Sequence, residues 1–171
     1  GLEESSQGLL VLETKAKPGT SITKILQLDD QQLEIELTPN RGDCLSIMGL
    51  ARELAVLTGA RYTALAVKQV AAKTRRKLAV TLGAKHACAR YTGRVIEGIH
   101  PQAATPLWMK ERLRRSGVRS IHPVVDITNY VMLEFGQPMH AFDLDKLSGG
   151  ITARHARKNE KLILLDGKTL T

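Results

Sequence analysis

Three glycines divide this chain. Gly59, Gly117 and Gly136 each follow a run of apolar residues at helical spacing, and glycine ends helices readily because it enters the left-handed region without a Cβ clash. Ahead of Gly59, in "TPNRGDCLSIMGLARELAVLTG", Thr-Pro and Arg-Gly mark a loop and Asp43 is placed to cap a helix of about four turns. Leu45, Met48, Ala51, Leu54, Ala55 and Leu57 mark its packed side. Ahead of Gly117, in "TPLWMKERLRRSG", Thr105 caps and Pro106 takes the first helical position, where its missing N–H does no harm. Trp108, Met109 and Leu113 supply the packed side, with Trp108 expected in the core. Ahead of Gly136 the predicted helix buries Val124, Val125, Val131, Met132 and Phe135.

Strands are expected between these helices. Residues 8–13, "LLVLET", and 32–38, "QLEIELT", read as strands, the second through alternation of Leu33, Ile35 and Leu37 with polar partners; Pro18-Gly19 turns the chain between them. Order thins after Tyr62, and roughly 64–80 reads as a linker or exposed extension. "KLAVTL" and "YTGRVIEGI" then look like strands, as do 151–156 and 161–165, the last leading into an Asp166-Gly167 turn. Helices mixed with short antiparallel strands, without a regular βαβ rhythm, give α+β as the fold class.

With 171 residues and 43% apolar content, the chain can form one ordinary domain or two small ones and bury a core. It does not start with Met, and "LLDGKTLT" reads as strand, turn and a returning strand cut short at Thr171, so a piece of a longer protein is expected. No segment reads as a membrane span or an export signal, which makes a soluble cytoplasmic protein the default. Cys44 and Cys88 form neither a C-x-x-C pair nor a disulfide framework and read as reduced thiols, packed rather than reactive.

The net charge of +8 is uneven. Residues 67–120 hold 13 Lys/Arg against 2 Asp/Glu, whereas 1–66 hold 6 against 9 and 121–171 hold 6 against 6. A basic stretch of this kind attracts polyanions, nucleic acid above all, although a solvated basic face accounts for it as well. Lys110, Arg112, Arg114 and Arg115 also have a structural reason, because cations near a helix C-terminus complement its dipole.

Nucleotide, dinucleotide, zinc-peptidase and hydrolase-elbow motifs are all missing, and the lone H-x-C of His86 and Cys88 gives no metal site. Arg119, Thr128, Asn129 and His140 remain as a candidate constellation. Thr and Asn lower the propensity of a helix interior and need partners when buried. In one reading Thr128 bonds back to a preceding carbonyl while Asn129 braces the "GQPMH" loop. In the other, the pair lines a small polar pocket roofed by the loop that carries His140.

The phrases "LTPNRGDCLSIMGLARELAVLTG", "TPLWMKERLRRSGVRSIHPVVDITNYVMLEFGQPMHAFD" and "GGITARHARKNEKLILLDG" resemble the β subunit of bacterial phenylalanine-tRNA ligase, and the resemblance runs over essentially all 171 residues. It implies that 1–30 is the tail of an OB-fold tRNA-binding insertion, 31–66 the second half of the N-terminal domain, 67–83 a basic linker and 84–171 the first part of the editing domain. It also implies an (αβ)₂ heterotetramer that charges tRNA with phenylalanine using ATP and Mg²⁺, with synthesis in the α subunit and no cofactor in this segment.

What the segment resembles is the hydrolytic side of that enzyme, which removes tyrosine wrongly attached to the tRNA. A pocket shaped for phenylalanine rejects an added hydroxyl by only about 10²-fold, so a second site is wanted in which the hydroxyl is read. By resemblance Thr128 and Asn129 line this editing pocket. His140 stands beside the ester, where an imidazole orients or deprotonates water, and Arg119 lies near the tRNA 3′ acceptor end, where a guanidinium suits phosphate or ribose oxygens. The acidic group that reads the tyrosine hydroxyl is expected beyond Thr171. Two other roles stay open for the segment: a non-catalytic RNA-binding module and a structural module of the subunit.

Overall fold

Side-chain caps at Ser46 and His122 start two of the helices. The computed structural model describes residues 8, 9, 11, 12, 14–100, 102–164 and 166–171, which fall into two units. The first comprises Gly1–Val67 and Pro101–Ala141, the second Lys68–His100 and Phe142–Thr171.

In the first unit a five-residue helix, α1 (Ile22–Leu26), which the sequence pattern did not announce, precedes α2 (Ile47–Thr58). The cap of α2 is Ser46, not Asp43: the Ser46 Oγ accepts from the Gly49 N–H at 3.1 Å. Asp43 lies in a short 3-10 turn, Gly42–Cys44, where Arg41 Nε donates to it at 3.2 Å. That turn presses on α2 so closely that a Cβ at Gly49 would come within 1.8 Å of the Asp43 carbonyl oxygen. Gly59 ends α2 at φ 70°, as its position predicts. Leu45, Leu54 and Leu57 are exposed rather than packed.

The core of this unit lies between α3 (Leu107–Arg115) and α4 (Pro123–Phe135). Leu113 has no accessible surface and Met109 is buried; burying such side chains contributes roughly 1.5–3 kcal/mol each. The cap of α3 is Pro106, because Thr105, expected in that role, donates its hydroxyl to the Asp126 carboxylate instead. Trp108, expected in the core, is 46% exposed. Its ring meets that of Tyr130 edge-on at 5.4 Å, with the Arg112 guanidinium over both rings. Gly136 closes α4 at φ 72°, and its N–H donates to Met132 O at 2.8 Å.

The second unit is built on two small sheets. β1 (Ala79–Leu82) and β2 (Gly150–Ala153) pair in register, Ala79 with Gly150 through Leu82 with Ala153. This pair is parallel, whereas the expectation was for antiparallel strands. β3 (Leu162–Ile163) and β4 (Thr169–Leu170) form the expected antiparallel hairpin around Asp166-Gly167, with Gly167 at φ 82°.

Two predicted strands, 32–38 and 91–99, are irregular. Alternation is not enough for a strand, because its N–H and C=O groups need a neighbouring strand; Leu33 is 80% exposed and has no face to pack on. In the strand expected at 8–13 the described residues 8, 9, 11 and 12 are not in a strand, while Leu10 and Glu13 lie outside the described residues, as does Leu165 of the strand expected at 161–165. The α+β class holds.

Candidate functional site

The candidate residues are arranged along α4 and at its two ends. His122 caps the helix, its Nδ1 accepting from the Val124 N–H at 3.3 Å, and Pro123 opens it. Thr128 and Asn129 follow in the second turn, about 100° apart around the axis, and both are half-buried. Asn129 is three residues beyond Asp126, on the stripe that faces inward; Thr128 is turned towards the partly exposed flank of Val125 and Met132. The Thr128 hydroxyl donates to Val125 O at 2.7 Å. With its proton engaged there, Oγ1 offers acceptor lone pairs to its other side.

His140 is exposed, four residues after the Gly136 cap in the irregular segment 137–143. Arg119 is exposed in the turn between α3 and α4. Thr128 and Asn129 are therefore brought side by side, while Arg119 and His140 attach at opposite ends of a helix about 20 Å long.

The end of α4 is held against the start of α2. A Cβ at Gly136 would meet Ser46 Oγ at 3.1 Å and Ser46 Cβ at 3.3 Å, so the segment carrying His140 leaves the helix beside the α2 cap.

A residue that the sequence reading passed over organises the other end. Asp126, in the first turn of α4, is completely buried. Its Oδ2 accepts from the hydroxyls of Thr105 and Ser120, the latter at 2.6 Å, and its Oδ1 from the Ile121 N–H at 2.9 Å. Burial alone would push this carboxyl up, but the Ser120 and Thr105 hydroxyls and the N–H groups of Ile121 and His122 outweigh that and hold it below its ordinary value. An aspartate inside the apolar run "VVDITN", six residues after a serine, was the signal available in the sequence.

Much of the basic excess on α3 is used within the protein. Arg114 Nη2 pairs with Glu111 at 2.9 Å. Arg115 binds Asp30 at 2.8 Å and also reaches the carbonyls of Leu26 and Gln27. Arg112 donates to Tyr130 Oη at 2.6 Å, while burial pushes that phenol up and Arg112 works against it. In the second unit Arg76 pairs with Glu97 at 3.6 Å. By contrast Lys68, Lys73, Arg75 and Lys77 are exposed on irregular backbone.

Cys44 is buried and burial pushes its thiol up, although Arg41 pulls the other way. It fits the packed role better than a nucleophilic one. Among the described residues no group of three or more His, Cys, Asp or Glu is placed to hold a metal ion, and no helix is long and apolar enough to cross a membrane.

Comparison with known proteins places the sequence beside others. Residues 87–171 match the family described as the B3/4 domain, a match that takes in residues of both units. The whole chain is 54% identical over 171 residues to the phenylalanine-tRNA ligase β subunit of Methylococcus capsulatus, covering 22% of that protein. It is 54% identical over 170 residues, 99% of the chain, to the same subunit of Nitrosococcus oceani, covering 21% of it. With the subunit of Dickeya dadantii the identity is 52% over 171 residues, all of the chain and 22% of the relative. The chain spans about a fifth of the length of these relatives, and along its whole sequence it is similar to phenylalanine-tRNA ligase β subunits.

Proposed function

We propose that this segment works within a phenylalanine-tRNA ligase, a cytoplasmic enzyme of translation, and forms part of the site that hydrolyses tyrosine wrongly esterified to the tRNA. The observation that carries the reading is the identity of more than half of all positions along the whole chain. The placement of the polar residues gives it chemical content. Thr128 Oγ1, its own proton given to Val125, accepts a hydrogen bond from the ammonium of the esterified amino acid. Asn129 beside it supplies an amide that both donates and accepts. His140 orients a water, or takes its proton, as the water oxygen attacks the ester carbonyl carbon. The bond to the ribose oxygen breaks, the amino acid leaves as a carboxylate and the ribose hydroxyl is restored. Arg119 holds phosphate or ribose oxygens of the acceptor end.

In the whole enzyme, ATP and Mg²⁺ serve the charging reaction in the α subunit of an (αβ)₂ assembly. No step assigned to the residues described here runs through either.

The test uses the intact ligase with Thr128→Trp or His140→Ala in its β subunit. Phenylalanine charging stays near normal, while release of tyrosine from mischarged tRNA slows by about 10²-fold, the lower end of what a positioned acid-base group contributes. Unchanged deacylation in both variants removes the assignment.

A second reading draws on the exposed residues Lys68, Lys73, Arg75 and Lys77: they hold RNA backbone and no hydrolysis belongs here. It predicts steep salt dependence of tRNA binding with deacylation indifferent to Thr128 and His140.

A further inference from the structure

The turn that carries Arg119 is anchored at both ends. On one side, past Gly117 at φ 73°, the Val118 N–H donates to Leu113 O at 2.9 Å, tying the turn to the end of α3. On the other side, the Ser120 hydroxyl and the Ile121 N–H both donate to Asp126, at 2.6 and 2.9 Å. The same carboxylate accepts from Thr105 at the start of α3, so one buried group in the first turn of α4 links the start of α3 to the residues just ahead of α4. Capping α4 does not require this arrangement, because His122 already does so.

From this geometry we infer that Asp126 is a positioning residue for Arg119, holding its backbone so that the guanidinium meets the tRNA 3′ end without further ordering of the chain. The inference rests on the editing reading given above. A carboxylate with several donors in a low-dielectric interior binds each of them more firmly than water would. A turn fixed in advance spares the binding step the loss of its conformational freedom. Arg119 itself is exposed, as a group that meets a large anionic partner must be.

The test uses intact phenylalanine-tRNA ligase and tyrosine-charged phenylalanine tRNA. Arg119→Ala, Asp126→Asn and Ser120→Ala are compared singly, and the last two also in the Arg119→Ala background. Asp126→Asn and Ser120→Ala each raise KM for deacylation by about tenfold, the factor for one good hydrogen bond, with kcat retained. In the Arg119→Ala background neither has a further effect on KM, although each still lowers the thermal midpoint. If Asp126→Asn does not fold, Ser120→Ala carries the comparison, since it removes one hydroxyl and leaves Asp126 its other donors. Losses in KM that multiply with Arg119→Ala overturn the inference, because they show that Asp126 acts only on the fold. An Arg119→Ala enzyme with unchanged KM overturns it together with the role given to Arg119, while Thr128→Trp and His140→Ala still report separately on the editing reading.

Discussion

Arg115 reaches back across 85 residues to Asp30, Nη1 to Oδ2 at 2.8 Å, while its other terminal nitrogen donates to the carbonyls of Leu26 and Gln27. One largely buried guanidinium thus fastens α1 and the chain after it to α3. Lysine has no planar fork to serve a carboxylate and two carbonyls together. Arg115→Lys is expected to lose about 2 kcal/mol, within the range for hydrogen bonds to charged groups, and Arg115→Ala at least as much. Equilibrium urea unfolding measures the loss, and proteolysis near residues 22–30 should rise in parallel.

Gly136→Ala should destabilise by about 1–2 kcal/mol, since its backbone lies at φ 72° and the new methyl group would meet Ser46. Ser46→Gly relieves the contact but removes the cap of α2, so the double variant is not expected to recover full stability. Thermal midpoints of the two single variants and the double one decide this.

Two of the depressed carboxyls, Asp126 and Glu160, make different demands on acid stability. Asp126 lies below its ordinary value, so its contribution is complete above about pH 3.9 and is lost as pH falls through the lowered value. The stability gap between the protein and Asp126→Asn therefore stays constant from pH 7 to about 4 and closes only below that. Glu160 accepts from both terminal nitrogens of Arg154 at 2.7 Å, and this, helped by the Arg157 N–H, lowers its carboxyl to about 2. It stays charged through most of the acid range, but being exposed it adds little stability. Unfolding midpoints from pH 2 to 7 for Asp126→Asn and Glu160→Gln separate the two.

Helix ends and the hairpin were legible because they depend on local chemistry. Gly59 and Gly136 stop their helices through a conformation that glycine alone adopts readily, and Asp166-Gly167 turns β3 into β4 within a few residues. Where a distant group competes, local rules fail. Thr105 has the makings of a cap, yet its hydroxyl goes to Asp126, 21 residues away. Residues 32–38 alternate like a strand but have no partner to pair with among the described residues. The parallel register of β1 and β2 has no local signature at all. Thr128 and Asn129 stood out as chemistry on an apolar helix, whereas Asp126 did not, because its meaning lies in donors from two other segments.

The pairing of β1 with β2 also bears on how the protein is made. Residues 83–149 separate the two strands, so at roughly 5–20 residues per second the ribosome delivers β2 several seconds after β1. Throughout that interval β1 waits with an open edge, while α3 and α4 emerge and can fold from shorter-range contacts. Nascent chains that meet in that interval can pair through the open edge, and slower synthesis of the segment between the strands lengthens it.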